Sequence, residues 1–292
     1  MTKKKVHLVL GSGGARGIAH IGVIELLEEA GFEIISITGC SMGAVVGGIY
    51  CAGFLQPYKN WLLTLNKAKV YSLFDFTINK NGFIKGEKIL SFLRTITGEQ
   101  SIEQFKIPFT AVATDILHKK EVHYRSGNLY SALRASMGIP GVFTPVAENG
   151  TYMVDGGVLN PLPLNLVSAK EDELIVAVNL NGHTYSDIES PKKEESENIS
   201  DSWAWFKSLS IPMMNKNTQS TTALSFSLFE LLQTSYNYTQ DRLTEVMIQF
   251  YPPDVLIEIP RKSSTTYEFY RAAELIALGK KAYHEAMDKT TK

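Results

Sequence analysis

IISITGCSMGAVVGGIYCAGFLQPY, residues 34–58, runs for 25 positions without a charged side chain. That is long enough to cross a bilayer as one helix. Two features argue against a span. Its first half is β-branched (Ile34, Ile35, Ile37, Thr38), and glycines fall at 39, 43, 47, 48 and 53. A buried strand over Glu33–Thr38, a sharp turn, and a buried helix over Ala44–Ala52 closed by Gly53 account for the stretch better. An apolar strand that passes straight into a helix is a unit of a parallel sheet, so this reading makes the fold α/β.

Working outward, Val6–Leu10 reads as another short buried strand. The spacing of Ile21, Ile24, Leu26 and Leu27 predicts a helix over Ile18–Ala30, stopped by Gly31. This order gives parallel strands joined by right-handed crossovers. Further along, strands are expected at Phe109–Thr114, Glu121–Tyr124, Tyr152–Val154, Leu174–Leu180 and Asp254–Ile259. Helices are expected at Gly86–Thr97, Ser131–Met137, Trp203–Met214, Ala223–Asn237 and Thr266–Met287. The pattern weakens over Trp61–Phe83, where aromatics mix with lysines and asparagines. Residues 182–201 are polar and charged, and are expected to be a flexible excursion. No internal repeat is visible, and the chain reads as a single α/β domain with a helical portion after residue 200.

Composition narrows the function classes. The 292 residues are 44% hydrophobic and 20% charged with a net charge of −1, which is ordinary for a globular protein and gives no field to attract nucleic acid. Lys3-Lys4-Lys5 reads as a solvated terminus. Two cysteines, Cys40 and Cys51, suit reduced thiols in a cytoplasmic protein rather than a disulfide framework. The N-terminus leads almost directly into the first strand, with no room for a secretory signal.

The loop GSGGARG, residues 11–17, joins the first strand to the first helix as a phosphate loop would. It fails the nucleotide tests. In G-x-G-x-x-G register Gly11 and Gly13 fit, but Arg16 holds the third position and Gly17 comes one residue late. The second strand ends in TGCSMG with no carboxylate for a ribose, and no Gly-Lys-Ser/Thr closes a Walker loop.

GCSMG, Gly39–Gly43, matches G-x-S-x-G between a strand and a helix, the nucleophile elbow that lifts Ser41 above a sheet. The pentapeptide also arises by chance, with the serine merely capping a helix. A serine nucleophile needs a base. None of His7, His20, His118, His123, His183 or His284 follows a buried strand near the chain's end, where an α/β-hydrolase keeps its histidine. The other candidate is Asp155 in YMVDGGVLNPLP, directly after a short apolar strand. A buried carboxylate becomes a stronger base through desolvation, while a simple D-G-G turn is the competing reading.

Taken in order, GSGGARG, GCSMG and DGG (155–157), with ASMGIPGVFTPV (135–146) and AAELIALGKKA (272–282), resemble the bacterial branch of the patatin-like phospholipase family. The resemblance covers about residues 5–180 and the final helix. It implies a three-layer α/β/α fold with a mainly parallel central sheet, and a Ser-Asp dyad without histidine. Ser41 is then the nucleophile and Asp155 the base. Backbone N–H groups of Gly13, Gly14 and Met42 form the oxyanion hole, and Gly11, Arg16, Gly17, Gly39, Gly43, Gly156 and Gly157 support the motifs. Arg16 is expected to hold the loop or to face a phosphate head group. Ser12 stands where the family has a leading glycine, and residues 182–240 match nothing assignable. The implied activity is lipolytic acyl hydrolysis of phospholipid, lysophospholipid or a simpler acyl ester, with no metal or cofactor and no nucleic-acid partner. Acyl transfer on the same dyad and a non-catalytic lipid-binding role are the alternatives. The aromatic segment 54–76 and the helices at 203–237 read first as ordinary core packing or a dimer contact, with an apolar mouth that touches a bilayer as the alternative.

Overall fold

The computed structural model describes residues 4–79, 82–182 and 228–290. Contacts divide the chain into two compact units, Met1–Gly182 with Tyr236–Lys292, and His183–Ser235. The sheet and the site lie in the first. The polar excursion expected at 182–201 and the helix expected at Trp203–Met214 lie outside the described residues, apart from Gly182.

The strands are β1 (Lys5–Leu10), β2 (Glu33–Cys40), β3 (Phe76–Asn79), β4 (Gly82–Ile84), β5 (Phe109–Asp115), β6 (Lys120–Tyr124), β7 (Val146–Glu148), β8 (Thr151–Asp155), β9 (Glu173–Gly182) and β10 (Val255–Pro260). The helices are α1 (Ala19–Glu29), α2 (Met42–Cys51), α3 (Leu55–Leu62), α4 (Lys67–Leu73), α5 (Glu87–Thr97), α6 (Leu129–Ser136), α7 (Leu228–Phe250) and α8 (Ala272–Thr290). Among the described residues, eight strands form one sheet in the order β10-β9-β1-β2-β5-β8-β7, with β6 on the remaining edge of β5. The run from β10 to β5 is parallel, as the β-turn-α repeat predicts, and the far end is antiparallel.

Helices cover both faces. Leu10, Ile37 and Phe109 meet α2 at Gly47, where there is no room for a side chain. Side chains alternate along a strand, so Val9 points the other way. With Leu162, Leu164 and Ala177 it forms a buried cluster packed by Met247 and Ile248 of α7. α8 lies along α1. The expected three-layer arrangement with a mostly parallel central sheet is therefore present.

One register detail positions the chemistry. β2 and β6 both pair with Ala111 and Val112, so they occupy opposite edges of β5. β6 and β8 both pair with Ala113–Asp115, so β8 shares β2's edge. β2 ends at Cys40 opposite Val112. β8, running the opposite way, ends at Asp155 opposite Ala113. Two strand ends thus meet head to head along one neighbour.

Some boundaries differ from expectation. The last helix starts at Ala272, not Thr266, because the Thr266 carbonyl accepts a bond from Ala15 N at 3.0 Å and a short 3-10 turn, Phe269–Arg271, intervenes. The helix expected to end at Asn237 continues to Phe250, just ahead of Pro252 and Pro253, which cannot extend a helix. The weakly patterned stretch Trp61–Phe83 contains the end of α3, α4, β3 and the start of β4. No helix among the described residues is long and apolar enough to cross a membrane. The 34–58 stretch is strand, turn and helices.

Candidate active site

Between β2 and α2 the chain reverses within a single residue. Ser41 takes φ 54° and ψ −121°, a region non-glycine residues enter only when the surroundings force them. The flanking glycines explain how. A Cβ at Gly39 would sit 2.5 Å from the Gly43 carbonyl oxygen, and one at Gly43 would run into the Leu10 carbonyl. The turn is held from outside as well. Ser41 N donates to Ser136 Oγ at 2.9 Å, and Ser136 Oγ donates to the Val112 carbonyl at 2.6 Å, which ties the elbow through α6 to β5.

The hydroxyl of Ser41 donates to Asp155 Oδ2 at 2.5 Å, across 114 residues of chain. Ser41 is 3% exposed and Asp155 fully buried. Asp155 Oδ1 accepts from Gly157 N at 2.7 Å, and the Cys40 thiol lies 3.9 Å from it. Burial pushes the carboxyl up to about 6, against the opposing pull of the Ser41 hydroxyl, the Gly157 amide and the Cys40 thiol.

The glycine loop lies alongside. Gly11 N, Ser12 N and Ala15 N donate to the carbonyls of Val178, Pro161 and Thr266. Gly13 N and Gly14 N have no partner among the described residues, and buried N–H groups without one are rare. Gly14 adopts φ 57°, and a Cβ there would lie 2.7 Å from the Thr266 methyl. Ser41 and Met42 begin α2, whose N-terminal end carries positive partial charge. These donors and the Ser41 hydroxyl suit a group that gains negative charge as it is attacked.

Arg16 faces inward. Its Nε donates to the Leu180 carbonyl at 2.9 Å, one terminal nitrogen to the Ser264 carbonyl at 2.9 Å and the other to Asn181 Oδ1 at 3.2 Å. Burial and the neighbouring Arg261 lower its basicity, while Asp241 raises it. Its guanidinium is thus spent on internal acceptors at the end of β9 and at Ser264. Gly17 packs against Met42, and Gly156 against the Val112 carbonyl. His20 is buried and contacts the Gly11 carbonyl at 3.0 Å, its ring kept neutral as burial drops it to about 4. His7, His118 and His123 pair with Ser36 and Glu173, Asp115, and Glu121, away from Ser41. His183 lies outside the described residues. Among the described residues no group of three or more His, Cys, Asp or Glu side chains is arranged to hold a metal.

Three supporting side chains escaped the sequence reading. Ser136 lies inside a quoted motif, but nothing local marks it as an anchor. On α7, Gln240 is buried and its amide reaches Tyr236 Oη at 2.9 Å and Ser12 Oγ at 3.4 Å. The same amide occupies the space a Cβ on Gly157 would need. Burial raises the Tyr236 hydroxyl well above its usual range, reinforced by the nearby Asp155 and Cys40. No motif in α7 announced this polar backing behind the aspartate.

Ser41, Gly14 and Met42 open onto a cavity of about 780 Å³, part of it open to solvent. Its walls are almost wholly apolar: Tyr58, Trp61, Leu62 and Leu65 from α3 and its end, Phe74, and Phe143. Trp61 is stacked on Phe92 with ring centroids 4.5 Å apart, so it serves as cavity wall.

The profile of the patatin-like phospholipase family matches residues 8–167. An uncharacterized NTE family protein of Mycobacterium tuberculosis is 34% identical over 97% of this chain and 91% of its own length. Lysophospholipase NTE1 of Cryptococcus neoformans is 29% identical over 98% of this chain, which spans only 17% of that protein. Among solved structures, VipD from Legionella pneumophila aligns over 99% of this chain and 67% of its own, with 15% identity and a TM-score of 0.47.

Proposed function

From the premise that the chain belongs to the patatin-like phospholipase family, we propose that it is a serine lipolytic acyl hydrolase acting through a Ser41–Asp155 dyad. The observation that carries this reading is the 2.5 Å hydrogen bond from Ser41 Oγ to Asp155 Oδ2, on a strained turn beside two unpartnered amides. Asp155 takes the hydroxyl proton as Ser41 Oγ attacks an ester carbonyl. The carbonyl oxygen gains the negative charge and is held by the N–H groups of Gly13, Gly14 and Met42, each worth about 3 kcal/mol to the transition state. The tetrahedral adduct collapses, the C–O bond to the leaving alcohol breaks, and Asp155 returns the proton to that alcohol. Water then loses a proton to Asp155 and attacks the acyl-serine, and the proton passes back to Ser41 as the fatty acid departs.

The substrate class follows from the cavity and the relatives. An apolar cavity beside Ser41 suits an acyl chain, and the fungal relative is a lysophospholipase, so we read the substrate as a phospholipid, lysophospholipid or related acyl ester. The protein then meets its substrate at a lipid surface, as a peripheral visitor. Active-site titration with a fluorophosphonate tests the reading. Stoichiometric labelling of the wild type and none of Ser41→Ala is expected. Equal labelling of both forms, or no hydrolysis of any acyl ester by a labelled wild type, defeats it.

A further inference from the structure

The strand that aligns the dyad does not stop there. Beyond Ala113, β5 continues through Thr114 and Asp115 and turns over residues 116–119 into β6. β2 has already ended, so the turn projects from the same end of the sheet as Ser41. At about 3.3 Å per residue it stands roughly 10 Å past the level of Asp155. At this tip Ile116 is 45% exposed and Leu117 56%. Across from Ile116, whose N–H donates to its carbonyl at 3.1 Å, Tyr152 of β8 is 47% exposed.

Single exposed aliphatics are ordinary. Adjacent ones on a tip are less so, and this tip is held open. The buried Asp115 accepts from His118 N at 3.1 Å, meets the His118 ring at 2.7 Å, and accepts from the Thr151 hydroxyl. Lys119 takes φ 54°, which L side chains rarely adopt. A turn fixed by a buried carboxylate cannot fold its aliphatic residues back onto the protein. Lys119 and Lys120 follow, both exposed and without an ion pair among the described residues. The nearby carboxylates are engaged, Glu121 by His123 and Asn160, and Glu148 by the Tyr124 hydroxyl.

Two aliphatic side chains beside two free ammonium groups complement an anionic phospholipid surface. The apolar pair enters the acyl boundary and the lysines rest at the phosphates. A protein partner fits less well, because specific interfaces bury about 1,200–2,000 Å² over matched shapes, and a turn of four residues offers a fraction of that. A fluid bilayer accepts a tip without shape matching.

We propose that the turn from Ile116 to Lys120 docks the protein on anionic phospholipid bilayers and so sets the catalytic end of the sheet against the lipid. The hydrolase reading gives this docking its purpose. The test is co-sedimentation with vesicles of equimolar phosphatidylcholine and phosphatidylglycerol, and with vesicles of phosphatidylcholine alone. Wild type, Leu117→Asp and the double variant Lys119→Glu/Lys120→Glu are compared. All three are also assayed on a water-soluble short-chain ester and by thermal melting, which shows that they are folded. Wild type binds the anionic vesicles and the neutral ones far less. Each lysine near such a surface is worth about a fivefold change in partitioning, so the double variant binds at least about 25-fold more weakly, and Leu117→Asp at least about fivefold. Rates on the soluble ester and melting midpoints stay at wild-type values. Wild type that ignores anionic vesicles, equal binding to neutral ones, or variants that sediment like wild type overturn the proposal. Intact docking without hydrolysis of any ester instead sinks the hydrolase reading and leaves the docking surface standing.

Discussion

At the scale of the residue, Asp155 is held under two opposed demands. Burial lifts its carboxyl to about 6, which makes it a better base and also makes its ionised form costly to fold around. Its folded value lies above the unfolded value of about 3.9, so its contribution to stability is fully present below about pH 4 and is lost as pH rises through about 6. Two outcomes follow. The ratio kcat/KM on a soluble ester rises with pH and levels off above about 6, and a profile flat from pH 4 to 8 contradicts Asp155 as the base. Asp155→Asn keeps partners for Ser41 and Gly157 but carries no charge. It loses at least about a thousandfold in kcat and gains stability near pH 7, by at most about 3 kcal/mol. Urea unfolding of the two forms checks the sign. Ser136 is a positioning residue, and Ser136→Ala strips the Ser41 amide of its acceptor and the Val112 carbonyl of its donor. Left unpaired, such buried groups cost about 1–3 kcal/mol. The variant should lose about tenfold in kcat with KM little changed, and a purely structural role would lower stability while sparing kcat.

At the scale of the element, capping decides how firmly the cavity wall stands. Asp75 reaches forward to accept from Gly86 N at 2.6 Å, Glu87 N at 2.9 Å and Lys88 N at 3.3 Å, which closes the N-terminus of α5 from eleven residues upstream. Asp75→Ala therefore costs about 1–2 kcal/mol in urea unfolding, and a change below a few tenths shows that water replaces the cap. This cap was invisible in the sequence, because the usual cap lies next to its helix. The same distinction separates what was legible from what was not. β1, α1, β2 and α2 were readable because their apolar spacing and glycine stops are local. Ser41 and Asp155 both sat in motifs that punctuate strand ends. Ser136 and Gln240 had no local signal, since their roles exist only once α6 and α7 are laid against β5 and the glycine loop. Three-residue β7 is too short for period-2 alternation to register. The residues of α4 and the end of α3 show a mixed pattern because one face lines a cavity and therefore need not meet a solid core.

At the scale of the whole molecule, the Ser41–Asp155 pair and the cavity beside it come from different parts of the chain. The cavity draws the largest single share of its wall from the segment between α2 and β5, with Trp61 braced on Phe92. Trp61→Ala removes bulk from that wall. The preferred acyl chain of p-nitrophenyl esters should lengthen, changing the ratio of long- to short-chain kcat/KM by about tenfold, while fluorophosphonate labelling of Ser41 keeps its wild-type rate. An unchanged chain-length profile removes Trp61 from the acyl site.

The head-to-head meeting of β2 and β8 on β5 has a consequence for how such a protein can diversify. The separation of Ser41 from Asp155 is fixed by the step from Val112 to Ala113, one residue of a strand buried along its whole length. Nothing in the connection that leaves Cys51 and returns at Phe109 takes part in that measurement. That connection can lengthen, shrink or trade its aromatics while the spacing of Ser41 and Asp155 stays constant. On the proposed function, changes in that one stretch would reshape the acyl-chain cavity without moving Ser41 from Asp155.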